Sequence, residues 1–212
     1  DLVYLQAHKP AIEQLEPRGH AVRMVYMAQA MAGTAYYLND SALLNAAKKI
    51  WESIVSKRMY ITGGIGSTVR GEAFTYDYDL PTDTMYCETC AAIGLLNFTS
   101  VLQKSDKNNA YADIMERVLY NSMISGMSLD GEHFFYVNPL EVDPEASVKN
   151  PDKSHVKATR PSWFGCACCP PNLARTIPAI HRYIYDESED AKCIWINQWI
   201  DSTGAFENAT LQ

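Results

Sequence analysis

Apolar residues recur at helical spacing through most of the N-terminal half of this chain. His20 to Leu38 (HAVRMVYMAQAMAGTAYYL) is rich in Ala and Met and apolar on most sides, which predicts a helix buried within a bundle. Ser41 is placed to cap a second helix, with Leu43, Ala47, Ile50, Trp51 and Ile54 along one stripe. Only Asn39-Asp40 links the two, so they are expected to be antiparallel neighbours. A second helical pair follows. Cys90 to Gln103 is mostly apolar, and Asn108 or Asn109 caps a helix bearing Tyr111, Ile114, Met115, Val118, Leu119 and Met123 on one face.

The pattern breaks between and after these pairs. Residues 60–83 form a long stretch without periodicity, and such a loop inside a helical domain is more often functional than not. Gly131 to Val137, with Phe134, Phe135 and Tyr136, predicts a short strand. Leu140 to Arg160 is polar and irregular. Pro170 to Tyr185 predicts a further helix bent at Pro178. Cys193 to Ile200 (CIWINQWI) is β-rich, and another strand is expected from Gly204 onward. The fold class is therefore mainly α with short β excursions: a helical toroid joined to a β-domain.

Composition narrows the choice of function. The chain has 212 residues, 47% of them hydrophobic, enough to bury a sizeable core. Its net charge is −7 and its Lys and Arg are dispersed, which argues against nucleic acid and anionic membrane as partners. No apolar run approaches the roughly 20 residues needed to span a bilayer. The opening Asp1-Leu2-Val3-Tyr4 shows no signal-peptide pattern and reads as text from within a longer protein, so a cytoplasmic location is expected. A homodimer is compatible with all of this. Six cysteines are too few for a disulfide scaffold of this length, and Cys166, Cys168 and Cys169 lie too close together to pair easily. Metal binding or thiol chemistry in a reducing compartment is the better reading.

Two short stretches hold the candidate chemistry. In Trp163 to Asn172 (WFGCACCPPN), adjacent Cys168 and Cys169 can share one metal only from a tight turn, because consecutive side chains of a helix or strand diverge. Pro170-Pro171 then offers a helix start, which sets the thiols near a positive dipole end that favours thiolates. In Met85 to Cys90 (MYCETC), Glu88 and Cys90 share a face if the segment is extended. Together these give three thiolates and one carboxylate, a set suited to Zn2+. Burial as ordinary core thiols remains the alternative. Glu72 read by itself is a loop acid, and His20 a helix-start histidine. Phe134, Phe135, Tyr136 and Trp163 suit sugar stacking or core packing equally. Asp77, Asp79 and Asp83 suit loop stabilisation or sugar binding. Cys166 reads as a neighbour of the cluster rather than a ligand, and Cys87 and Cys193 as structural.

The stretches ITGGIGS (61–67), GEAFTYDYDLPTDTMYCETCA (71–91) and WFGCACCPPNLAR (163–175) resemble the signatures of glycoside hydrolase family 127, the β-L-arabinofuranosidases. The resemblance implies an (α/α)6 barrel followed by β-sandwich domains. Residues 1–188 would be the middle-to-late part of the barrel, without the family's N-terminal helices, and 189–212 the start of the β-sandwich. It implies that Glu88, Cys90, Cys168 and Cys169 ligate zinc, that Cys168 is the nucleophile and that Glu72 is the general acid/base. His20 and Tyr136 resemble substrate-binding residues. The implied activity is retaining hydrolysis that releases L-arabinose from a small oligosaccharide or arabinosylated glycan. A structural zinc module and a noncatalytic carbohydrate-binding fragment are the alternatives from other classes. A zinc-activated water is a further one, although four protein ligands leave it no open position.

Overall fold

Two helical hairpins carry most of the core in the computed structural model, which describes residues 1–212. Helix α1 (Ala21–Leu38) ends where Asn39 turns left-handed, at φ 53°. Helix α2 (Ser41–Lys57) then begins at once. Its cap is Asp40 rather than Ser41, because the Asp40 carboxylate accepts from the N–H groups of Ala42 and Leu43, both at 3.0 Å. Ser41 is thereby drawn into the first turn. Helix α3 (Thr89–Ser105) is followed by α4 (Asn109–Val118), and of the two candidate caps it is Asn108 that accepts from Ala110 N–H. The stripe predicted for α4 outlasts the helix. Leu119 and Met123 remain buried on a single π turn, Leu119–Met123, before a 3-10 turn ends at Gly126.

Helix α3 packs against both α1 and α4, and its Ile93, Leu95, Leu96, Phe98 and Leu102 are wholly buried. Gly94 allows the α1 crossing: a Cβ there would sit 2.4 Å from Val25 Cγ2. Trp51 of α2 donates to Thr99 Oγ1 of α3 at 2.9 Å and meets the Tyr111 ring of α4 edge-on. Side-chain interdigitation of this kind fixes the relative positions of the helices to which the site is attached.

The loop over 60–83 is irregular, as expected, and it is firmly attached. Ala21 N–H donates to Glu72 O, and Phe74 N–H donates to Gly19 O, so the loop is tied to the start of α1. Asp77 pairs with Lys57 and Arg58, and Asp83 with Lys153, so these acids stabilise the loop. Gly131–Val137 departs from expectation, since no strand forms there. Phe134 N–H donates to Pro161 O whereas Phe135 N–H donates to Gly126 O, so no single partner supports a ladder. Residues 140–160 contain a short helix, α5 (Pro144–Lys149), capped by Asp143.

Helix α6 (Cys169–Thr176) starts at the cysteine pair and passes at Ile177 into a 3-10 segment that runs to Tyr183. The change of winding comes beside Pro178, whose missing N–H ends the α-type bonding. Tyr185 belongs to a strand rather than to this helix. Strands β1 (Tyr185–Glu187) and β2 (Ile194–Ile196) form one antiparallel hairpin, and β3 (Gly204–Ala205) and β4 (Thr210–Leu211) another. The molecule is thus mostly helical with two small two-stranded sheets. No helix is long and apolar enough to cross a membrane.

Candidate functional site

Residues from two distant segments meet at the N-termini of α3 and α6. Glu88 is the extended residue before α3 and Cys90 lies in its first turn, so the pair straddles a corner between extended chain and helix. That corner aims both side chains the same way, which neither a strand alone nor a helix alone was needed to do. Cys168 immediately precedes α6 and Cys169 opens it. The thiols of Cys90 and Cys169 are 3.5 Å apart, and those of Cys168 and Cys169 3.9 Å. Glu88 Oε1 lies 3.2 Å from Cys168 Sγ and 3.9 Å from Cys169 Sγ.

The four ligand atoms all lie within 4.8 Å of one another. Tetrahedral Zn2+ with Zn–S bonds of about 2.3 Å would place neighbouring sulfurs about 3.8 Å apart. The second carboxylate oxygen, Glu88 Oε2, is buried and meets no donor. A buried charge of that kind calls for a cation. This donor set can therefore hold one metal ion.

Asn172, one turn into α6, donates through Nδ2 to Cys90 Sγ at 2.7 Å. Among themselves the groups divide their protons unevenly. Hydrogen bonds from Cys169 and Cys90 hold the Cys168 thiol far below its ordinary range, and Tyr136 OH adds a contact at 3.0 Å. Cys169 is pushed up in turn by its bonds to Cys168 and Cys90. Burial, with Cys168 beside it, raises Glu88 to about 8 as long as no cation is bound, so a cation is what would keep this carboxylate ionised at neutral pH. Cys168 is the most exposed thiol of the cluster.

Glu72 faces the same cleft, of about 550 Å3, which His20, Glu88, Cys168 and Arg175 also line. Its backbone is left-handed, with φ 52°. Its Oε2 is 3.2 Å from His20 Nε2, and its Oε1 accepts from Tyr86 OH at 2.9 Å. His20 Nδ1 accepts from Val22 N–H at 3.2 Å to cap α1, so the ring proton sits on Nε2, towards Glu72. The His20 bond, followed by that of Tyr86, holds the Glu72 carboxyl below its usual range although burial opposes this.

All seven residues singled out from the sequence therefore lie around one cleft: His20, Glu72, Glu88, Cys90, Tyr136, Cys168 and Cys169. Tyr86 and Asn172 were missed. Both stand inside the quoted motifs, but a tyrosine before a cysteine and an asparagine after two prolines carry no chemical signal of their own.

A helical domain with a thiol–carboxylate centre open to a cleft defines the class, and similarity to known proteins makes it specific. Residues 2–182 match the family profile described as the β-L-arabinofuranosidase GH127 catalytic domain. The chain belongs to glycoside hydrolase family 127. It is 46% identical over 203 residues to the non-reducing end β-L-arabinofuranosidase of Bifidobacterium longum subsp. longum, covering 96% of this chain and 31% of that protein. It is also similar to the GH127 β-L-arabinofuranosidase of Geobacillus stearothermophilus T6, with TM-score 0.92 and 48% identity over 98% of this chain and 33% of that one. A further GH127 β-arabinofuranosidase superposes with TM-score 0.82 and 46% identity, over 93% of this chain and 29% of that one. The chain spans about a third of the length of these relatives.

Proposed function

We propose that the protein is a retaining glycoside hydrolase that releases L-arabinose from β-L-arabinofuranosides, with Cys168 as nucleophile and Glu72 as general acid/base. One observation carries the reading: Cys168, the least buried thiol of the cluster, and the doubly hydrogen-bonded Glu72 carboxyl open into the same cleft. Most retaining glycosidases place two carboxyl groups there, one of them a nucleophile. In this site a thiolate takes that place.

The cation that Glu88, Cys90, Cys168 and Cys169 would hold is Zn2+, on the chemistry of three thiolates and a carboxylate. When bound it supplies positive charge that keeps these thiols deprotonated near neutral pH. In the first step Cys168 Sγ forms a bond to the anomeric carbon while the bond to the leaving oxygen breaks. Glu72, which must be protonated in the substrate complex although its bonds from His20 and Tyr86 hold the free carboxyl low, gives that oxygen its proton. In the second step Glu72, now the carboxylate, takes a proton from water. The water oxygen bonds to the anomeric carbon and the C–S bond breaks. Two inversions restore the original configuration. His20 and Tyr136 line the cleft where the sugar would sit, and the Tyr136 hydroxyl lies against the nucleophilic sulfur.

In the wider architecture, residues 1–188 would form part of an (α/α)6 barrel and 189–212 the start of a β-sandwich. The short-linked helical pairs support the first part of this reading and the β3–β4 hairpin the second, while the β1–β2 hairpin bridges the two. In the full-length protein, Cys168→Ser and Glu72→Gln are expected to reduce turnover of a β-L-arabinofuranoside by at least about 10²-fold, with the fold retained by circular dichroism. Normal turnover in either variant would contradict the assignment. Metal analysis of the unaltered protein is expected to give one Zn2+ per chain.

A further inference from the structure

Asn172 spans the junction at which the thiol cluster forms. It sits on α6 with Cys169, and its side-chain amide crosses to α3, where Nδ2 donates to Cys90 Sγ at 2.7 Å. The sulfurs on the two sides of that junction, Cys90 and Cys169, are 3.5 Å apart. Asn172 is buried, and the other end of its amide, Oδ1, is buried with no donor in reach. An orphaned oxygen of this kind is costly. Turning the amide over would not remove the cost. It would strand the N–H groups instead and set Oδ1 against a sulfur that, as a thiolate, has no proton to give. The observed orientation is the one a charged sulfur requires.

The backbone of α6 is poorly equipped to make the same contact. Pro170 and Pro171 carry no N–H, and the backbone N–H of Asn172 donates to Cys168 O at 3.3 Å. Three of the first four residues of the helix therefore offer no amide to a sulfur, and a side chain supplies the donor. The three thiols also differ in what they meet. The Cys169 sulfur bonds only within the cluster, Cys168 has the Tyr136 hydroxyl at 3.0 Å, and Cys90 has Asn172. Cys90 is buried, whereas Cys168 is partly exposed.

Resting on the cation site proposed above, we propose that Asn172 is a positioning residue for the metal centre: its amide fixes Cys90 as a standing ligand, which leaves Cys168 as the sulfur able to turn to the sugar. A hydrogen bond to a ligand atom orients that atom and sets how much charge it gives to the metal. The two duties of sulfur in this site, holding and reacting, are thus divided by the partners that each thiol is given.

The test replaces Asn172 in the full-length protein by Leu, which is close to it in shape but has no N–H, and in a second variant by Ala. Zn2+ affinity is read by competition with a chelator, and the sulfur ligands by the sulfur-to-metal charge-transfer band after Co2+ is loaded in place of Zn2+. Asn172→Leu and Asn172→Ala are each expected to bind Zn2+ about 10- to 100-fold more weakly, with the fold retained by circular dichroism. The Co2+ band is expected to move to longer wavelength, because the Cys90 sulfur has lost its hydrogen bond. A role in packing alone would lower Tm and leave both the affinity and the band unchanged. Zn2+ affinity within twofold of the unaltered protein in either variant, with an unshifted Co2+ band, would overturn the proposal. If the unaltered protein takes up neither Zn2+ nor Co2+, the cation reading itself fails, which is a separate result from tight binding that ignores Asn172.

Discussion

Glu72 is held by three constraints at once: a left-handed backbone, a hydrogen bond from His20 and another from Tyr86. A non-glycine residue at positive φ costs about 1–3 kcal/mol unless its surroundings over-determine it. Here the loop is tied to α1 through the Glu72 carbonyl itself. Tyr86 acts as a positioning residue for the acid/base, so Tyr86→Phe should slow hydrolysis of a glycoside with a poor leaving group by about tenfold. With a 4-nitrophenyl leaving group, which needs little protonation, the loss in the first step should be much smaller. Equal losses on both substrates would show that Tyr86 serves only packing. At this scale the sequence was informative wherever the side chain itself signals chemistry, as with the cysteines and Glu88. It was silent on Tyr86 and Asn172, whose roles depend on what a fold brings beside them.

At the scale of elements, the helices were legible because their apolar stripes match the helical repeat and their linkers are short. The cap of α2 shifted by one residue, since Asp40 and Ser41 both favour that position and the Asp40 carboxylate serves two amides together. Gly131–Val137 was misread because its run of aromatics looks like strand composition. Phe134 and Tyr136 are instead buried beside Cys90 and Cys169, as the floor under the site. Gly94 gave no warning either, yet it sets the spacing of α1 and α3. Gly94→Ala would force a methyl group to within 2.4 Å of Val25 Cγ2. The expected cost is about 1–3 kcal/mol, read as a lower Tm, and an unchanged Tm would show that the crossing relaxes freely.

At the scale of the whole molecule, the loop that carries the acid/base is fastened by ionised carboxylates. Hydrogen bonds from Lys57 hold Asp77 below its ordinary range, Lys153 does the same for Asp83, and Arg18 for Glu16. A carboxyl whose folded-state pKa is depressed stabilises the fold above its unfolded value, near 4, and the contribution is lost as pH falls through the folded value. These pairs therefore predict a urea midpoint that falls as the pH drops below about 4. A midpoint that rises below about pH 4 would contradict these pairings. The meeting of the 71–91 and 163–175 motifs at one cleft was legible only through their resemblance to a family. Spacing along the chain does not reveal that α3 and α6 begin side by side.

The central claim is that a sulfur, not a carboxylate oxygen, makes the bond to the sugar. The most direct measurement is peptide mapping by mass spectrometry after the full-length protein is exposed to a β-L-arabinofuranoside analogue that traps the intermediate. The account predicts one glycosyl-sized adduct per chain, on the peptide containing Cys168. An adduct on Glu72 or Glu88, or full turnover without any adduct, would contradict it.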